Sequence, residues 1–181
     1  PAGLSEGYTS KAQQARVVTE AWGREELYCV NCDSETLAGT PTNRRAIDFV
    51  CPRCDAPFQL KAKNGKIGAT IGDGAFAAMM AAIRNDRTPN LLLLRYNLPA
   101  SRVLDLTLIP HFAFPESAVI KRKPLAATAR RAGWVGCNID LRRIAPDARI
   151  PLVTCGVAQT ATSVRANFAR LKPLREIKSP Q

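Results

Sequence analysis

Cys29-Val-Asn-Cys32 and Cys51-Pro-Arg-Cys54, 18 residues apart, frame the stretch that decides how this chain folds. Asp48 lies three residues before the second pair, and Gln59-Leu60-Lys61 begins five residues after it. Structural zinc takes four ligands in a closed tetrahedron, with sulfur at about 2.3 Å, and a Cys-x-x-Cys turn places two thiolates on one side of the ion. Two such turns complete the set. The single histidine, His111, is remote in sequence, so the expected ligands are Cys29, Cys32, Cys51 and Cys54, forming a zinc ribbon over about residues 27–56. A redox Cys-x-x-Cys would need only one pair. A closed site has no open position, so this zinc is expected to hold the fold and do no chemistry.

The same window carries a second pattern. Ala46 to Val50 reads as a strand, the second knuckle as its turn, and Pro57 to Lys63 as the return strand. Side chains alternate along a strand, so Gln59, Lys61 and Lys63 share one face while Phe58, Leu60 and Ala62 face the core. If the strands pair around the knuckle, Asp48, Gln59 and Lys61 converge. That grouping suits phosphodiester hydrolysis: oxygen ligands for Mg²⁺ beside the phosphate, and a lysine that orients water and offsets developing charge. An acid, an amide and a lysine at this spacing are equally a solvated strand face.

With 181 residues, 46% hydrophobic and 23% charged, the chain suits one globular domain with a real core. Lys+Arg outnumber Asp+Glu by 26 to 15, a net charge of +11 that favours polyanions, nucleic acid first. No apolar run approaches membrane-spanning length, and Pro1 to Glu6 does not read as a signal peptide, so a cytoplasmic location is expected. Cys137 and Cys155 read as small buried side chains.

Outward from the ribbon, residues 1–9 read as a loose arm, and Ser10 caps a helix over about Lys11 to Trp22. Thr40-Pro41-Thr42-Asn43 reads as a turn, and Asn64-Gly65 breaks the return strand. Asp73-Gly74 opens an Ala- and Met-rich helix ending near Asn85. Asn90 to Asn97 is an expected buried central strand, followed by strands from Val103 to Ile109 and Arg149 to Thr154. Pro115 to Ile120 is a short helix or docking segment, Lys121 to Asn138 a basic loop region, and Lys172 to Gln181 an exposed basic tail. Strands interleaved with two helices give an α/β class.

Lys11-Ala-Gln-Gln-Ala-Arg16, Thr19-Glu-x-Trp22, the two knuckles with Ala46-Ile-Asp-Phe49, Leu60-Lys-Ala-Lys63, Thr70-Ile-x-Asp-Gly-Ala75 and the long block from Arg122 to Leu141 together resemble the DpnI-type restriction endonucleases of the Dam-replacing family. The resemblance spans roughly residues 8–155. It implies a PD-(D/E)XK endonuclease-like fold, a mixed sheet flanked by helices with an inserted four-cysteine zinc ribbon. It also implies Mg²⁺-dependent, methyl-directed cleavage of double-stranded DNA at GATC sites containing N6-methyladenine. By position, Asp48 would be the central magnesium ligand, position 59 the second, the Leu60 carbonyl a third contact, and Lys61 the catalytic lysine. Two departures stand out. The usual acid at position 59 is Gln here, which keeps a carbonyl oxygen but removes a charge. The chain also spans about one nuclease core, with no winged-helix module after it.

Lys121, Arg122, Lys123, Arg130 and Arg131 fall within eleven residues and suit DNA phosphates, as Lys63, Asn64 and Lys66 do beside the proposed site. Trp134 stands between Gly133 and Gly136, where its ring can contact an N6-methyl in the major groove; Asn138 can pair an adenine edge, and Arg130 or Arg131 a guanine or phosphate. Trp134 can equally be core, pinning the loop, and the basic residues can be merely solvated. The expected protein is therefore a monomeric, adenine-methylated-duplex endonuclease. A non-cleaving reader with Gln59 at fault, or a nuclease without methyl dependence, are the alternatives.

Overall fold

The computed structural model describes residues 10–41, 46–97, 100 and 102–177. The expected arm (residues 1–9), part of the Thr40 turn (Thr42 and Asn43) and the end of the basic tail (residues 178–181) lie outside them. Two sheets make the frame. A seven-stranded mixed sheet runs in the order β1-β2-β3-β5-β6-β9-β10, and a three-stranded antiparallel sheet in the order β4-β8-β7. Their strands are β1 (Ala38–Gly39), β2 (Phe49–Val50), β3 (Pro57–Asn64), β4 (Thr70–Ala75), β5 (Asn90–Asn97), β6 (Arg102–Ile109), β7 (Val119–Lys121), β8 (Gly136–Asp140), β9 (Ile150–Thr154) and β10 (Val157–Ala158).

The apolar run on β5 organises the core. Leu92 and Leu94 join Phe49, Phe58, Leu106, Leu108 and Phe168 on one face of the large sheet. Leu91 and Leu93 join Ile109, Phe114, Ile139 and Ile144 on the other. A strand covered on both faces is therefore apolar at consecutive positions, as its sequence led one to expect. β5 pairs with β3 in parallel, Leu60 opposite Leu92 and Lys61 opposite Leu93. The connection between them carries β4 and then α2 (Phe76–Arg84).

Several elements differ from the sequence expectation. α1 spans Lys11–Glu26; Ser10 holds its N-cap position, but its side chain makes no cap hydrogen bond. The first ribbon strand shrinks to Phe49–Val50, because Ala46 sits at a φ of 58° and breaks extension. Asp73-Gly74 does not open a helix: it belongs to β4, held by pairing with β8, and α2 starts at Phe76. The Pro115 segment is a single 3₁₀ turn at Glu116–Ala118 leading into β7. α3 (Ala161–Leu171), unforeseen, buries Val164 and Phe168, and α4 (Leu174–Ile177) makes the start of the expected tail helical. Cys155 is exposed, at the two-residue Cys155-Gly156 turn of the β9–β10 hairpin, where both residues take positive φ.

α1 packs against the ribbon strands so closely that residue 23 must be glycine. A Cβ there would stand 2.5 Å from Phe49 Cζ, and Phe49 is fully buried. Gly23→Ala is expected to destabilise the protein by about 1–3 kcal/mol, read as a lower midpoint in urea at unchanged slope.

Candidate functional site

The four cysteines come together. Their Sγ atoms lie within 4.8 Å of one another, with Cys29–Cys54 at 3.6 Å and Cys32–Cys51 at 3.5 Å. Tetrahedral zinc thiolates at about 2.3 Å stand about 3.8 Å apart, so the donor set fits that ion. Each knuckle turns a backbone N–H onto its first sulfur, Asn31 onto Cys29 at 3.4 Å and Arg53 onto Cys51 at 3.4 Å. Burial pushes the Cys29 thiol well above the ordinary range, a penalty that a bound dication reverses. α3 braces the ribbon. The Arg165 guanidinium donates to the carbonyls of Cys29 and Ser34, both at 3.0 Å, and lies over the Tyr28 ring. Chelation in mild denaturant is expected to release zinc stoichiometrically and abolish cooperative melting, followed by a zinc dye and by circular dichroism.

Beyond the second knuckle the hairpin register pairs Phe49 with Phe58 and Val50 with Pro57. Asp48 then falls beside the Gln59 to Lys61 run. Its N–H donates to the Phe58 carbonyl at 2.9 Å, and its Oδ2 accepts the Leu60 N–H at 2.7 Å. Burial raises its pKa from the ordinary carboxylate value, against the Leu60 hydrogen bond; Glu20 adds a further upward push, and Arg16 and Lys61 pull down. Glu20, on α1, is itself paired with Arg16.

Sequence reasoning missed the group that links the other two residues. Asp73 Oδ1 accepts from Gln59 Nε2 at 3.2 Å and pairs with Lys61 Nζ at 2.9 Å. The Asp73 side chain is only 5% exposed. Asp73 was legible as part of a motif but was assigned to a helix start; its place opposite Cys137 depends on a pairing 64 residues long in sequence. Cys137 is the buried small side chain expected, with its thiol pushed up to about 11 by burial and by the Asp73 charge.

The basic segment folds against this group. Trp134 is half-buried, with its ring over Gly136, where a Cβ would meet the indole at 2.7 Å. The Arg131 guanidinium stacks 4.5 Å from the Trp134 ring centroid. Arg131 and Trp134 line an open cavity of about 720 Å³ together with Gln59, Asp73, Met79 and Phe114. Arg122 donates its N–H to the Gly136 carbonyl, and its charge reaches Cys137. Lys121 lies 5.5 Å from the Phe76 ring centroid. Asn138 sits on β8, opposite Gly72 and Ile120. Lys123 and Arg130 are exposed and carry no contact that fixes a role; Lys63, Asn64 and Lys66 are exposed at the far end of β3.

The Dam-replacing family, typified by DpnI, matches residues 2–177. The chain belongs to that family. A solved restriction endonuclease in complex with substrate DNA aligns over 93% of this chain and 86% of its own, at 16% identity and a TM-score of 0.41. Family membership supports a DNA-cleaving restriction enzyme. No described helix is long and apolar enough to cross a membrane.

Proposed function

We propose that this chain is a methyl-directed endonuclease of PD-(D/E)XK type, hydrolysing phosphodiesters of double-stranded DNA at GATC sites that carry N6-methyladenine. The single observation that supports it best is the cluster of Asp48, Gln59, Lys61 and Asp73 beside the four-cysteine hairpin, of which Gln59 and Asp73 line the cavity that Arg131 and Trp134 share.

The donor set suits magnesium: carboxylate and amide oxygens with no sulfur or imidazole among them. Asp48, Gln59 and the Leu60 carbonyl would hold it. Bound Mg²⁺ supplies charge neutralisation at the scissile phosphate and a more acidic water. The chain's own residues do the rest. Leu60 N–H fixes the Asp48 carboxylate in one orientation. Lys61, only partly exposed and held by Asp73, is a preorganised cation for the phosphate oxygens or the attacking water. The water oxygen forms the new bond to phosphorus as the bond from phosphorus to the sugar oxygen breaks; the water gives up one proton to solvent and the departing sugar oxygen takes one up. Lys121, Arg122, Lys123 and Arg130 would grip backbone phosphates, with Lys63, Asn64 and Lys66 on the flank. Trp134, backed by Arg131, would meet the methyl group, and Asn138 an adenine edge. A cytoplasmic monomer is the form this reading assumes.

One plasmid, with and without adenine methylation at GATC, tests the proposal in Mg²⁺ and in EDTA. Cleavage of the methylated form alone, and only with Mg²⁺, is expected. Cleavage of both forms would leave a nuclease without methyl dependence; selective binding without cleavage would leave a reader. Asp48→Ala or Lys61→Ala is expected to slow cleavage by roughly a thousandfold while duplex binding persists in a gel shift. Trp134→Ala is expected to erase the methylated-over-unmethylated ratio; an unchanged ratio would place methyl reading elsewhere.

A further inference from the structure

A glutamine at position 59 leaves the cation site one carboxylate short, if position 59 is where that charge must sit. The geometry points to another bearer: we infer that Asp73 supplies the second carboxylate of the cation site, with Gln59 as its neutral partner. This rests on the hydrolase reading above.

Three observations carry it. First, hydrogen-bond chemistry fixes the amide. A carboxylate only accepts, so Gln59 must present Nε2 to Asp73 Oδ1, at 3.2 Å, and its own carbonyl oxygen is directed away from that carboxylate. The negative charge of this corner is therefore held on β4, not β3. Second, Asp73 is aimed on purpose. The β4–β8 ladder shifts register between Asp73 and Ala75, and glycines flank Asp73 on both sides. The residue skipped is Gly74, so the strand bends immediately after Asp73, which keeps its pairing with Cys137. A Cβ at Gly74 would meet nothing within 4 Å, so this glycine is not demanded by packing. Third, the carboxylate is largely covered yet spans both neighbours, since Lys61 Nζ stands 2.9 Å from the same oxygen. A buried carboxylate needs such partners. When the lysine turns to a phosphate, Asp73 is left facing the site, and a cation is the charge that would satisfy it. Asp48 and Asp73 then supply two negative charges, which restores the count that Gln59 lacks.

Swapping the two positions makes the test. Zinc-loaded protein is titrated calorimetrically with Mn²⁺ and with Ca²⁺, without DNA, in the wild type, D48N, D73N, K61A/D73N and the exchange variant Q59E/D73N; each is also melted to confirm folding. The expected pattern is ion binding in the wild type, loss in D48N, and roughly ten- to hundredfold weaker binding in D73N. K61A/D73N is expected to stay weak, which an anchor acting only through Lys61 would not require. Q59E/D73N returns an acid to the same hydrogen-bonded pair with the roles reversed and is expected to recover binding to within about threefold of the wild type. Wild-type affinity in D73N, alongside loss in D48N, would overturn the inference while leaving the hydrolase reading intact. So would a D73N defect that the exchange fails to repair in a folded protein. A wild type that binds neither ion beyond its zinc would instead overturn the hydrolase reading on which the inference stands.

Discussion

Closure of the four-thiol cluster sets the position of everything that follows it in this chain. The knuckles tie the end of α1 to the turn between β2 and β3, and β2 is only Phe49–Val50 long. Two residues of ladder cannot define a register alone, since short hairpins are marginal by themselves. The second knuckle does so instead, through the Cys51 N–H to the Ala56 carbonyl and the Asp55 N–H to the Cys51 carbonyl, both at 3.0 Å. With Phe49 locked opposite Phe58, residue 48 can only fall opposite residue 59. A slip of one residue would turn Asp48 from the Leu60 N–H and Phe49 out of the core.

That dependence explains how the four-cysteine hairpin and the acidic cluster come to share one stretch. The ribbon is not an appendage, because Cys29 and Cys51 belong to the same buried cluster as Phe58, Leu92 and Phe168. Arg165 ties it further to the last long helix through three backbone and side-chain acceptors. The side of the molecule that carries Asp48, Gln59, Lys61 and Asp73 is thus built directly onto the buried core that encloses the four thiols. Its charged groups sit where burial alone would disfavour them, and each is held by a named partner.

How much of this could be read beforehand differs by element. Knuckle spacing and the apolar run of β5 are local signals, and both are realised; the alternation expected from Phe58 to Lys63 is not, because β3 is buried at its start and exposed at its end, so that Gln59 is buried and Ala62 exposed. The block around Trp134 was legible as a family motif, though its ring packing over Gly136 was not. β4 was illegible because Ile-Gly-Asp-Gly has little intrinsic preference for extension; only β8 makes it a strand. α3 was overlooked although Val164, Phe168 and Leu171 stand at i, i+4 and i+7 and Thr160 supplies a capping side chain; the apolar stripe is only three residues long among arginines and alanines. Cys155 looked buried beside Val153, but a left-handed turn puts it outside. Asp73 is the most instructive case. Its residue type was visible, yet its partners Gln59 and Lys61 lie on another sheet, and the strand pairing that places it, with Cys137, spans 64 residues of chain.

The three-stranded sheet has one more implication, for how this protein could be redesigned. Trp134 and Cys137 are three residues apart on one segment, and Cys137 is paired directly with Asp73. The segment that brings Trp134 to the cavity and the carboxylate of Asp73 that also lines it therefore share a single backbone rail. Grafting a different loop between Arg122 and Val135 would leave the acid in place only if the run from Trp134 to Cys137 kept its length. Alteration of what the loop contacts is thereby confined to side chains and to the turn before Gly133, a constraint on specificity that comes from strand pairing and not from the chemistry of bases.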